Sequence, residues 1–179
     1  MKLRQNMSQE SKYFLKITDV DINLSNLQPT SESHNYNGFY IYPMIDDSSE
    51  EKFINDNEFL CWLNQRHPLK CALIKMSPFQ TYNWHKDVRR GVCINVLLDH
   101  KNSYTLFSDD VLEGSNGLYG NITKMNYELN KFYLFNNQIP HSVYNYEGER
   151  VLFSIEFLNE DKHQLTYEQL KNEIDEYFL

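Results

Sequence analysis

From Pro68 onward the chain is a succession of short runs of β-branched and aromatic residues, each cut off by turn residues. The runs are KCALIKM, GVCINVLL, SYTLFS, GNITKMNYEL, KFYLFN, HSVYNY and RVLFSIEFL. Between them stand Ser77-Pro78, Asp99 to Asn102, Glu113 to Gly117, Asn136-Asn137 and Glu147-Gly148. About seven short strands at this rhythm predict an all-β sandwich or barrel. A chain of 179 residues, 41 % hydrophobic and 15 % aromatic, is long and apolar enough to bury such a core.

Ahead of Pro68 the pattern is mixed. Partial alternation from Lys12 to Leu24 suggests a strand and its exit, and Gln28 to Asn37 reads as a loop. GFYIYPMI is a short strand that Pro43 confines to an edge or an end. Asp46 to Arg66 has helical spacing, with Ser48 and Glu51 as a capping box; Asn55-Asp56-Asn57 splits it, Asp56 capping the second piece. A last helix spans Thr166 to Leu179, opened by a Thr166/Gln169 capping box. Met1 to Ser11 is polar and expected to be loose. With no repeat and no dividing linker, the expectation is a single domain over 1–179. Its β core covers about 70–158, with N-terminal strands and a helix over 12–66 and a C-terminal helix over 166–178.

Charge and cysteine usage exclude several functions. A net charge of -8 without a basic stripe argues against gripping a nucleic-acid backbone. Three cysteines, Cys61, Cys71 and Cys93, without CxxC spacing, argue against a disulfide framework or a zinc ribbon. The segment Met1 to Lys12 has no apolar core of signal-peptide length, and no apolar run is long enough to span a membrane. A cytoplasmic protein with reduced thiols is expected, acting on a small molecule or a peptide; its oligomeric state is left open.

One triplet carries possible chemistry. In His85-Lys86-Asp87, positions i and i+2 of an extended segment point the same way, so an imidazole and a carboxylate can share a cation such as iron, manganese or zinc. An HxD triplet arises by chance about 0.4 times in a chain of this composition, so it needs context. His141 supplies it, following Pro140 at the head of HSVYNY. If Glu147-Gly148 makes a two-residue hairpin turn, Asn145 faces Arg150, and His141 and Arg150 share a face about 13 Å apart along the ladder. A cation at His141 then chelates one end of a short dicarboxylic acid while Arg150 clamps the other. Two histidines and one carboxylate with open positions form the facial triad of non-haem Fe(II) oxygenases. Taken singly, His85 and Asp87 also fit a polar turn, His141 a capped loop histidine, and Arg150 an exposed hairpin arginine.

The segment WHKDVRRGVCINVLL, followed 54 residues after Asp87 by NNQIPHSVYNYEGERVLFSIEF, resembles the core of the 2-oxoglutarate/Fe(II)-dependent dioxygenases, nearest the aspartyl/asparaginyl β-hydroxylase-like group. The resemblance covers roughly Lys70 to Leu158. It implies a mainly β chain: a double-stranded β-helix (jelly-roll, cupin-like) barrel with flanking helices. It implies His85, Asp87 and His141 as Fe(II) ligands, Arg150 as partner of the distal carboxylate of 2-oxoglutarate, and O2 as the oxidant of a hydroxylation. That group carries Arg-x-His in the strand after the HxD motif, where the histidine helps hold the co-substrate; here Asn95 stands in that place, with Cys93 before it. Tyr82, Trp84, Tyr104 and Phe135 are candidate pocket walls or ordinary core. Arg89 or Arg90 meets an acidic substrate or is a solvated pair. His34, His67, His100 and His163 read as surface residues. Two other readings stay open: a non-catalytic cupin-like module binding a metal or small ligand, and a cupin enzyme without oxidation.

Overall fold

The computed structural model describes residues 11–111, 119–158 and 165–179, with the backbone alone at 110 and 111. The turn expected at Glu113 to Gly117, the loose N-terminal residues before Ser11, and His163 lie outside the described residues. The elements run β1 (Phe14–Ile17), β2 (His34–Tyr36), β3 (Phe39–Pro43), α1 (Asp47–Asn55), α2 (Glu58–Arg66), β4 (Leu69–Met76), β5 (Gln80–His85) and β6 (Val92–Asp99). They continue as β7 (Asn102–Val111), β8 (Tyr119–Met125), β9 (Phe132–Asn136), β10 (His141–Glu147), β11 (Arg150–Phe157) and α3 (Tyr167–Tyr177).

Two antiparallel sheets face each other. The larger has seven strands in the order β1-β9-β6-β11-β4-β3-β2; the smaller has four, in the order β5-β10-β7-β8. This is the expected jelly-roll, cupin-like β-helix, although no strand pairing closes it into a continuous barrel among the described residues. The first and third strands belong to the larger sheet, β1 against β9 and β3 against β4.

Period-two alternation assigns the faces of the larger sheet. In β6, Ile94 and Val96 point to the helices while Cys93 and Asn95 point to the gap between the sheets; in β11, Phe153, Ile155 and Phe157 point out and Arg150, Leu152 and Ser154 point in. The outer face packs on Phe53 of α1, Phe59, Leu60 and Leu63 of α2, and Leu170 and Ile174 of α3. A strand buried on both faces explains why these runs are almost wholly apolar. A second cluster, with Tyr13, Phe14, Phe107, Met125 and Phe135, fills one side of the gap. There Tyr13 and Lys12 both reach Asp109, at 2.5 and 2.6 Å.

Several local expectations change. Asp46, not Ser48, caps α1, its carboxylate accepting the Ser49 N–H at 2.7 Å. Asn57, not Asp56, precedes α2, and its side chain is spent instead on the 20s loop, accepting the Asn23 N–H at 2.7 Å. The expected loop over Gln28 to Asn37 ends in a strand: Asn37 and Gly38, at φ 50° and 92°, form a two-residue turn that pairs β2 with β3. Pro43 closes β3, which is an inner strand. The Thr166/Gln169 capping box is present. His34 is exposed as expected, but His67 pairs with Glu173 of α3 at 2.7 Å, and His100 is half-buried.

The hairpin expected between β10 and β11 does not exist. The strand β10 pairs with β5 and β7 in the smaller sheet, and β11 with β4 and β6 in the larger. The chain crosses the gap at Glu147 to Glu149, so His141 and Arg150 face the same space from opposite sheets, and the ladder spacing does not apply. Asn145 ties this corner to the other one, where β4 hands over to β5. Its buried amide donates to the carbonyls of Met76, Ser77 and Gly148 at 3.0, 2.9 and 2.9 Å. Removing it takes the two amide hydrogens from these three carbonyls, that of Met76 buried and the other two half-buried. Asn145→Ala is expected to lower the unfolding free energy by about 2–3 kcal/mol in urea titration; an unchanged midpoint would contradict the role given to this clasp.

Candidate metal and carboxylate site

His85 ends β5 and His141 begins β10, and the two are direct partners in the β5–β10 ladder. Their rings therefore sit on one face, centroids 4.2 Å apart. Each ring is oriented by its own backbone. Nδ1 of His85 donates to the Asn83 carbonyl at 2.7 Å, and Nδ1 of His141 to the Ile139 carbonyl at 2.9 Å. A carbonyl only accepts, so both Nδ1 atoms carry the proton and both Nε2 lone pairs are left for a cation. Phe107 and Phe135 wall in the His141 ring, at 6.0 and 5.0 Å.

Asp87 lies beyond the end of β5, in a loop held by the turn before His141. Its N–H donates to the Asn137 carbonyl at 3.1 Å, and Gln138 donates to the carbonyls of Asp87 and Arg90 at 3.0 and 2.6 Å. One carboxylate oxygen, Oδ2, takes two contacts from Arg90, at 2.7 and 3.0 Å, and one from the Asn137 amide. The other, Oδ1, faces Nε2 of His85 at 3.5 Å. The ligand atoms of His85, Asp87 and His141 lie within 4.8 Å of one another. With one carboxylate oxygen occupied and both Nε2 atoms free, the donor set fits a single divalent ion bound by two nitrogens and one oxygen.

The electrostatics agree. Burial pushes the Asp87 carboxyl up, but neighbouring donors, the Arg90 guanidinium and the Asn137 amide among them, more than offset it, leaving the group ionised well below the usual carboxylate range. Burial, then the neighbouring His85, lowers His141 from 6.5 to about 4. It is a neutral imidazole at ordinary pH.

A cavity of about 910 Å³ opens beside these residues, between the sheets. Arg150 and Asn95 both line it. Arg150 is 3 % exposed, not the exposed hairpin residue that its sequence context also allowed. Its contacts are Ser103 Oγ at 3.4 Å and the ring of Tyr127, 5.4 Å from the guanidinium. Burial raises the Tyr127 phenol above its ordinary range, so it stays neutral. Arg150 has no carboxylate partner among the described residues. Asn95 is buried, Nδ2 on the Cys93 sulfur at 3.2 Å and Oδ1 without a partner.

Of the candidate pocket walls, Tyr82 and Phe135 line the cavity; Trp84 stacks on Tyr119 at 4.5 Å, and Tyr104 joins Tyr144 and Tyr146 on the outside of the smaller sheet. Arg89 and Arg90 both line it. Asn137, Gln138 and Tyr127 were missed in the sequence. The first two stand in NNQIPH, directly before a candidate ligand, and that adjacency was the available signal. Nothing marks Tyr127 out from the other tyrosines.

No family model matches the chain, and no curated protein does. Solved structures do. An oxidoreductase of the 2OG-Fe(II) oxygenase family from Burkholderia pseudomallei superposes with a TM-score of 0.50 at 10 % identity, covering 70 % of each chain. A prolyl-4-hydroxylase from Pseudomonas putida gives 0.48 at 17 % identity, over 73 % of this chain and 76 % of that one. A Bacillus subtilis oxalate decarboxylase gives 0.45 at 17 %, over 75 % of this chain and 29 % of that one. At such identities the likeness is one of fold.

The low proton affinity of His141 sets a pH dependence for the metal-free protein. The unfolded chain takes up a proton on this imidazole near pH 6.5 and the folded chain only near about 4, so stability falls as pH drops through that window. Wild-type protein is expected to lose about 2–3 kcal/mol more than His141→Asn between those limits, by urea unfolding at each pH. Parallel losses in the two proteins would contradict the buried, neutral ring.

Proposed function

We propose that the chain is an oxygenase that uses Fe(II), 2-oxoglutarate and O2 to hydroxylate an amino acid, a peptide side chain or a small metabolite. The observation that carries this reading is the sharing of one cavity by a two-histidine, one-carboxylate cluster and a buried arginine without an acidic partner. Likeness of fold to an oxygenase of the 2OG-Fe(II) family supports it. His85, Asp87 and His141 would hold Fe(II), which would supply the redox chemistry that couples decarboxylation of 2-oxoglutarate by O2, giving succinate and carbon dioxide, to hydroxylation of a C–H bond.

The protein's part is position and charge. Arg150 offers a planar fork to the far carboxylate, in a setting dry enough to strengthen the pair. Asn95 is a second, neutral donor. Turning its amide over lets Oδ1 accept from the Cys93 thiol and frees Nδ2 for a carboxylate. An aspartyl/asparaginyl β-hydroxylase-like chemistry, with Asn95 where that group has histidine, is the finer reading we propose.

Succinate release from 2-oxoglutarate, dependent on both Fe(II) and O2, tests the proposal. Asp87→Ala and His141→Ala are expected to abolish it. Arg150→Ala is expected to raise the 2-oxoglutarate requirement about 100-fold, the cost of removing one partner of a buried ion pair. Turnover that survives Asp87→Ala, or proceeds without O2, would overturn the reading in favour of a non-oxidative cupin enzyme.

A further inference from the structure

The charges around the cavity point to the substrate. Among the described residues its lining carries four cations, Lys86, Arg89, Arg90 and Arg150, against two carboxylates, Asp87 and Glu156. With histidines neutral, that is a net +2 in a chain of -8, leaving -10 for everything else. A divalent ion and a 2-oxoglutarate dianion cancel each other, so filling the proposed site leaves the excess in place.

The excess has an address. Arg90 is matched by Asp87 at 2.7 Å. Lys86 and Arg89 are exposed and have no carboxylate at ion-pair distance among the described residues. They flank Asp87 on the loop that Gln138 and Asn137 hold in place, so their backbone is fixed beside the candidate ligands. The same cavity is lined by Tyr36, Phe39 and Tyr82, with Phe39 and Tyr82 in edge contact at 4.8 Å. The lining therefore offers both unpaired cations and aromatic faces. A cleft whose lining carries an excess of one sign of charge concentrates ions of the opposite sign.

We infer that the molecule to be hydroxylated is a small organic anion, a carboxylate or phosphate on an apolar body, its charge held by Lys86 and Arg89 and its body lying on the Tyr36–Phe39–Tyr82 wall. This rests on the oxygenase reading for the word "hydroxylated", but not for the anion preference, which belongs to the mouth itself.

The test is equilibrium binding by calorimetry to protein loaded with Mn(II) and 2-oxoglutarate without O2. The probes share a phenyl ring, three of them with the same propyl chain on it: 4-phenylbutanoate, 4-phenylbutanamide, 4-phenylbutylamine and, as the phosphate, phenyl phosphate. At least one anion is expected to bind about ten-fold more tightly than the amide, the amine more weakly still, with the preference shrinking as salt is raised. Lys86→Glu/Arg89→Glu, and Arg89→Glu alone as the milder change, are expected to erase or invert the order. Equal binding of all four probes, or an anion preference that survives both variants, would overturn the inference. Should the protein hold neither Mn(II) nor 2-oxoglutarate, the oxygenase reading fails, and the same comparison on the unloaded protein still decides the mouth.

Discussion

Two corners decide where the cavity residues point. At one, the chain leaves β4 in the larger sheet for β5 in the smaller; at the other, it returns from β10 to β11. The Asn145 amide binds carbonyls of both. Because the corners are fixed together, the strand that carries His141 and the strand that carries Arg150 face each other across a gap, instead of lying side by side. A polar cluster in such a gap can be reached from both sheets. The rest of the site follows: His85 and His141 paired in the smaller sheet, Asn95 and Arg150 projecting from the larger.

A buried guanidinium without a counter-ion is expensive, because arginine does not shed its proton to escape burial. Arg150 is held there by the pairing of β11 on both sides, and burial alone depresses its proton affinity. Metal and anion are therefore expected to act as structural ligands as well as reactants. Whatever binds the folded chain and not the unfolded one shifts the balance toward folding. On the proposed reading, the cavity would trade stability of the empty protein for affinity.

Much of this was legible in the sequence. Seven of the strands were marked by their own β-branched runs and turn residues, and the alternation in RVLFSIEFL already separated Arg150, Leu152 and Ser154 from the core side. His85, Asp87 and His141 were found by residue type and order. Asp87 sits past the strand end, and its direction comes from Asn137 and Gln138 more than from period-two geometry. Arg150 reached the cavity by a route the sequence did not disclose, since a Glu-Gly turn looks the same whether it closes a hairpin or crosses between sheets. The strand β5 was hidden because Gln80, Thr81 and Asn83 are polar and exposed. The Asn37-Gly38 turn was a readable hairpin signal, masked by the polar strand before it.

On the proposed reading, one divalent ion and one dicarboxylic acid occupy this cavity together. A crystal structure of protein soaked without O2 in Mn(II) and 2-oxoglutarate measures it directly. The account predicts one ion on Nε2 of His85, Oδ1 of Asp87 and Nε2 of His141, with a carboxylate of the acid on the Arg150 guanidinium. An ion bound elsewhere, or an acid that leaves Arg150 without a partner, would contradict it.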